Sequence, residues 1–165
     1  MGDQRLFEEL LGAHGRLIAR IAASYEADRE LARDLTQEIL LAVWRALPSF
    51  RAQSSWRTFI ARIAHNRGVT HVARAANTPI AVEVSPELPC PLPHPETLLV
   101  EHDRRLRVLT AVQQLPLAYR QVATLTLEGF TPAEVAETLG LTVNAVAIRS
   151  TRARALLRSA LGEQT

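Results

Sequence analysis

The sequence predicts an all-α protein of two small helical domains joined by a proline-rich linker. Three features carry that prediction. Outside one segment, apolar residues recur three and four positions apart, the spacing that puts them on one face of a helix. Pro79, Pro86, Pro89, Pro91, Pro93 and Pro95 then crowd a single stretch where no regular helix persists. No run alternates apolar and polar residues with the two-residue period of a half-buried strand. With 165 residues and 47% of them hydrophobic, the chain has material for one ordinary domain or two small cores, and its composition is not that of a disordered protein.

The first domain is expected over residues 1–76 and holds four helices. Gln4–Gly12 carries Leu6, Phe7, Leu10 and Leu11, and His14–Tyr25 carries Leu17, Ile18, Ile21 and Ala22. Arg29–Leu47 carries Leu31, Leu35, Ile39, Ala42, Val43 and Leu47, and Pro48 stops it. Trp56–Ala76 carries Phe59, Ile60, Ile63, Ala64 and Val72. One apolar face per helix predicts a small bundle. Residues 77–96 form the linker, with Glu83, Glu87 and Glu96 and no Lys or Arg. The second domain, 97–165, begins with Thr97–Gln114, ended by Pro116, followed by a short helix Ala118–Leu127.

Residues 129–158 then read as a helix-turn-helix. Thr131 is placed to cap a helix, with Pro132 at the first helical position and Glu134 three residues after the cap. Val135, Ala136 and Leu139 give that helix one apolar face. Gly140 stands where the chain must leave the helix with positive φ, and Thr142 can cap the next helix. There Val146, Ala153 and Leu157 share a stripe. Ala136, Gly140 and Val146 have the spacing that two crossing helices need. Arg149, Arg152, Arg154 and Arg158 decorate the second helix, and no acid lies between Leu141 and Gly162. An ordinary helical hairpin with a solvated basic face would share some of these features. The agreement of cap, turn and charge favours DNA binding.

A second basic stretch lies in the first domain. Arg45, Arg51, Arg57, Arg62, Arg67 and Arg74 follow one another with no acid between them, although the whole chain carries a formal charge of only +2. A polar loop, Ser49–Ser55, leads into the helix with Trp56, Arg57, Phe59, Arg62, Asn66 and Arg67. Arginine neutralises phosphate and asparagine reaches base edges. Phe59 is in register with Ile63 and reads as core. Trp56 serves equally as core or as a platform for an unpaired base. The preceding helix presents Glu30, Asp34 and Glu38 in a row diluted by Arg29 and Arg33, either a solvated face or a surface for docking a protein.

Catalytic chemistry finds little support. His14, His65, His71, His94 and His102 form no metal-ligand pattern with Cys or acids, so no metal and no cofactor is expected. No glycine-rich phosphate loop is present, nor a nucleophile with an obvious base, so the reading is not an enzyme. His65, on a basic helix, is expected at the surface or against nucleic acid. The single cysteine, Cys90, forbids an intrachain disulfide and suits a reducing compartment. No apolar run approaches the roughly 18–20 residues of a membrane span, and the expected location is cytoplasmic, without membrane insertion.

The order of these pieces resembles a known family. ELARDLTQEILLAVWRAL, then SFRAQSSWRTFIARIAHNRG, and after the linker QQLPLAYRQVATLTLEGFTPAEVAETLGLTVNAVAIRSTRARALL, are similar to the bacterial sigma-70 family of RNA polymerase sigma factors. The resemblance is to the extracytoplasmic-function (ECF) group, which keeps only regions 2 and 4, and it covers nearly the whole chain. It implies that Asp34, Gln37, Glu38 and Trp44 dock on core RNA polymerase. It implies that Arg51, Gln53, Ser54, Trp56, Arg57, Arg62, Asn66 and Arg67 read and melt the −10 element of promoter DNA. Thr142, Asn144, Ala145, Ile148, Arg149 and Arg152 would read the −35 element from the major groove. The linker would thread toward the RNA exit path, which suits its acidity.

The chain departs from the family pattern at Leu31 and Arg33, where the docking helix usually carries acids, and at Ala147 and Ser150 in the recognition helix. Ile148 is either an exposed apolar contact, such as one to a thymine methyl, or part of the core. Few residues precede the docking region, so no inhibitory N-terminal domain is expected. Control is expected from expression or from another protein, an anti-sigma factor or other regulator. The alternative function is a free-standing helix-turn-helix regulator, which would need a dimer to read half-sites; no seam long enough for one is evident. A helical adaptor without a DNA role is a third reading, opposed by the acid-free basic stretches.

Overall fold

The computed structural model describes residues 2–77 and 96–162, and over them the chain is all-α. Residues 78–95, with Cys90, His94 and most of the linker, lie outside the described residues. The helices are α1 (Gly2–Tyr25), α2 (Arg29–Ala46), α3 (Trp56–Asn77), α4 (Glu96–Gln113), α5 (Leu117–Leu127), α6 (Pro132–Leu139) and α7 (Val143–Leu161). A 3₁₀ turn, Leu47–Ser49, carries Pro48 between α2 and the loop to α3.

The two expected N-terminal helices are one. α1 runs unbroken through Gly12 and Gly15. Glycine weakens a helix interior by only about 1 kcal/mol. Burial of Leu10, Leu17, Ile18, Ile21 and Ala22 along a single face outweighs that cost. The Asp28 side chain caps α2 by accepting from the amides of Glu30 and Leu31 at 2.9 and 3.0 Å. Ser55 does the same for α3, accepting from the Thr58 amide at 3.1 Å.

The first bundle closes where α1 meets α3. Gly68 lets the Tyr25 ring lie directly on the backbone of α3, for a Cβ there would stand 2.6 Å from Tyr25 Cγ. The Tyr25 hydroxyl and His65 Nδ1 are hydrogen-bonded at 2.6 Å inside the bundle. His65 is thus not the surface group expected from its basic helix. It is 2% exposed, on the inner side of α3 with Ala61 and Ala64. Burial holds the imidazole neutral, its pKa lowered to about 3. Among the described residues Nε2 has no hydrogen-bond partner.

The second unit stacks α5, α6 and α7 with α4 alongside. Its helix-turn-helix forms as the sequence expects: Thr131 and Glu134 make a reciprocal capping box, Gly140 ends α6 at φ 67°, and Thr142 caps α7. Val146 and Ala153 are buried and Leu157 is partly so.

Nothing in the sequence pattern says whether the two units touch. They do. Val122, Leu125, Phe130, Val135, Ala136 and Val146 join one continuous apolar core with Ile18, Ile39, Ile60 and Ala64 of the first bundle. At its edge Gln113 donates to the Ala23 carbonyl at 2.7 Å, and Arg20 pairs with Glu128 at 2.6 Å. Beside this junction α1, α4 and α5 border an apolar cleft of about 390 Å³ that includes Ala23, Val108, Leu109 and Leu127.

Candidate nucleic-acid and polymerase interfaces

Three exposed faces collect the residues singled out in the sequence. On α2, burial of Leu35, Ile39 and Val43 turns Asp34, Gln37 and Glu38 outward, and all three are exposed. Trp44 is 40% exposed, its indole meeting Phe7 of α1 edge-on at 5.3 Å. Leu31 and Leu41 are also exposed, so the face mixes carboxylates with apolar side chains. A protein surface could bury such a face; a phosphate backbone would be repelled by it.

The second face is the loop after Leu47 and the start of α3. Arg51 and Gln53 are exposed, Ser54 half-buried, and Ala52 between them adopts φ 55°, which bends the loop sharply. Phe50 stacks on Trp56 with ring centroids 3.7 Å apart, and Phe59 meets both rings edge-on. Trp56 is therefore neither core nor a bare platform. It is half-buried, with one face taken by Phe50. Phe59 lies at the rim of the core rather than inside it. Along α3, Arg62, Asn66 and Arg67 are exposed.

Arg57 behaves differently. It is half-buried, lies over the Phe130 ring at 3.9 Å from its centroid, and donates to the Glu128 carbonyl at 2.9 Å. Arg62 reaches across as well, donating to the Glu137 carbonyl at 3.0 Å. Partners 71 and 75 positions away leave no local trace in a sequence.

The third face is α7. The Thr142 hydroxyl accepts from the Ala145 amide at 3.1 Å, and no acid sits in the first turn. Its N-terminus thus keeps the partial positive charge that favours phosphate. Asn144, Ile148 and Arg152 are exposed, while Ala145 and Arg149 are half-buried. Ile148 is 48% exposed, so it is an outward apolar contact and not a core residue. Val143, absent from the sequence-derived set, is 53% exposed on the same first turn. Arg152 donates to the Tyr119 hydroxyl of α5 at 3.3 Å, a support for α7 that sequence spacing does not reveal. Phe50 was likewise missed, although an aromatic just ahead of Trp56 was a usable signal.

Among the described residues no three His, Cys, Asp or Glu side chains are grouped to hold a metal ion, and no helix is long and apolar enough to cross a membrane.

Comparison with known proteins agrees with this layout. The Sigma-70 region 2 family matches residues 10–78, and the Sigma-70, region 4 family matches residues 105–157. The RNA polymerase sigma factor NccH of Alcaligenes xylosoxydans xylosoxydans is 31% identical over 169 residues, spanning 97% of this chain and 89% of that protein. The ECF RNA polymerase sigma-E factor of Escherichia coli is 28% identical over 163 residues, spanning 93% of this chain and 85% of its own. Among solved structures, CnrH in complex with the cytosolic domain of CnrY superposes with a TM-score of 0.71 at 28% identity, covering 98% of this chain and 91% of that one.

Two small helical units in that order, the second carrying a helix-turn-helix, define the class of sigma factors built from regions 2 and 4. This chain belongs to the sigma-70 family of RNA polymerase sigma factors, in its ECF group. The likeness runs through both units, and a free-standing helix-turn-helix regulator is not favoured.

Proposed function

We propose that this chain binds core RNA polymerase and directs sequence-specific promoter recognition, DNA opening and transcription initiation. The observation that carries the reading is the presence, on one chain and in sigma order, of an acidic–apolar face on α2 and arginine-bearing helices α3 and α7. Residues 1–76 dock on polymerase and handle the −10 element, 77–96 link, and 97–165 read the −35 element. Asp34, Gln37, Glu38 and Trp44 form the docking set, which Leu31 and Arg33 make less acidic and more apolar. Arg51, Gln53, Ser54, Trp56, Arg57, Arg62, Asn66 and Arg67 serve the −10 element; Thr142, Asn144, Ala145, Ile148, Arg149 and Arg152 serve the −35 element.

RNA synthesis is the polymerase's chemistry, so the chain acts without a catalytic centre or cofactor of its own, in the cytoplasm. CnrH is seen with the cytosolic domain of CnrY. A regulatory protein, an anti-sigma factor, is the corresponding partner proposed here.

The test is transcription in vitro by bacterial core RNA polymerase on a pool of promoter fragments from the source genome. Specific transcripts that require this protein are expected, their aligned start sites giving both promoter elements. Asp34→Arg with Glu38→Arg should abolish co-elution with core enzyme. Arg149→Ala with Arg152→Ala should weaken transcription at least about thirtyfold, at the usual 1–3 kcal/mol for each good base contact. No transcripts and no co-elution would sink the proposal.

A further inference from the structure

We propose that the apolar cleft between α1, α4 and α5 binds the anion of a free fatty acid, its hydrocarbon chain inside and its carboxylate on Arg104 and Arg105. The cleft encloses about 390 Å³, within the roughly 300–1,000 Å³ usual for small-molecule sites. It shares no residue with the three faces described above. Such a site goes beyond the sigma function and does not depend on it.

The order of residues along α4 sets the shape. Arg104 and Arg105 are exposed at the mouth, Val108 and Leu109 one turn on are half-buried, and Val112 after a further turn is buried. Steps of three and four keep these side chains on one side of the helix. From Arg105 to Val112 the helix axis advances about 10 Å. Charge thus gives way to depth over the length of an alkyl chain. Ala23 of α1 forms the facing wall, and Leu127 of α5 the outer edge. Leu127 is 61% exposed, so the apolar surface continues outward from the cleft and lacks a cover.

Polar atoms in the walls already have partners. The Ser24 hydroxyl donates to the Ile21 carbonyl at 2.6 Å, the Thr124 hydroxyl to the Arg120 carbonyl at 2.8 Å, and the Ala23 carbonyl accepts from Gln113 at 2.7 Å. A ligand there gains by leaving water rather than by hydrogen bonding, which selects an alkyl chain. The charge at the mouth selects its head. Arg20 is answered by Glu128 at 2.6 Å, and among the described residues no other carboxylate lines the cleft. Arg104 and Arg105 therefore leave the lining with a net positive charge. An alkyl carboxylate complements it, and the parallel N–H groups of a guanidinium match its two oxygens. An alkylammonium would be repelled.

Isothermal titration calorimetry of the full chain with decanoate, below its micelle-forming concentration, tests the site. Saturable binding of one decanoate per chain is expected. Acetate, which lacks the chain, and decyltrimethylammonium, which carries the opposite head charge, should each bind at least about tenfold more weakly. Arg104→Glu with Arg105→Glu alters two exposed side chains and should leave the circular dichroism spectrum of the free protein unchanged. It should weaken decanoate at least about tenfold. Val108→Trp, which fills the cleft without changing its charge, should weaken it likewise. Absent or unsaturable decanoate binding would overturn the proposal. So would equal binding of the cationic amphiphile, or undiminished binding by the doubly substituted chain. Binding of a helical leucine–glutamate peptide where decanoate fails would assign the cleft to a protein partner and overturn it too.

Discussion

Burial lowers the His65 pKa to about 3, and the Tyr25 hydroxyl at 2.6 Å is the polar partner its ring has found. An unfolded chain exposes the same imidazole with an ordinary pKa near 6.5. Between these values the unfolded state binds a proton that the folded state refuses. Stability is therefore full above about pH 6.5 and is lost as pH falls toward 3. The expected slope is about 1.4 kcal/mol per pH unit below pH 6. Urea unfolding at pH 7 and pH 5 checks it, with His65→Leu showing a shallower dependence; an identical slope in that variant would assign the effect to other groups. A histidine surrounded by arginines in sequence reads as part of a basic face. Its place on the inner side of α3, above Ala61 and Ala64, follows from helical phase, so this reading was available and missed.

Elements whose signals lie within a few residues were legible. The Thr131–Glu134 capping box, the positive φ of Gly140 and the Thr142 cap all formed as their spacing requires, because each is a short-range hydrogen-bond or steric demand. α1 was misread for the converse reason. Gly12 and Gly15 resemble a break locally, yet the buried face that carries the helix through them is supplied by α2 and α3. A Cβ on Gly12 meets nothing within 4 Å, and its φ is helical. Gly12→Ala should accordingly raise stability by about 0.5–1 kcal/mol in thermal or urea unfolding. A destabilised variant would mean that the chain bends there in solution.

Across the two units, one apolar cluster ties residues from α1 to α7. Both tryptophans, Trp44 and Trp56, lie in the first unit, whereas far-UV circular dichroism reports helices from both. With a shared core, the fluorescence and dichroism transitions in urea should coincide. Two separated midpoints would show that the units unfold independently and that their contact is weak.

Fold class, the linker and the helix-turn-helix were determined by the sequence alone, since periodicity, proline and caps act over one or two turns of chain. The three candidate faces were likewise legible, because carboxylates and arginines at helical spacing declare which side of a helix meets solvent. What required the folded chain were the Tyr25–His65 bond, the Phe50–Trp56 stack and the arginines held across the junction. Arg57 illustrates the reason. Its charge was visible, but whether it faces DNA or the end of α5 depends on how two helical units meet. That choice is made by side chains about 70 positions apart in the chain, whose packing no local pattern encodes.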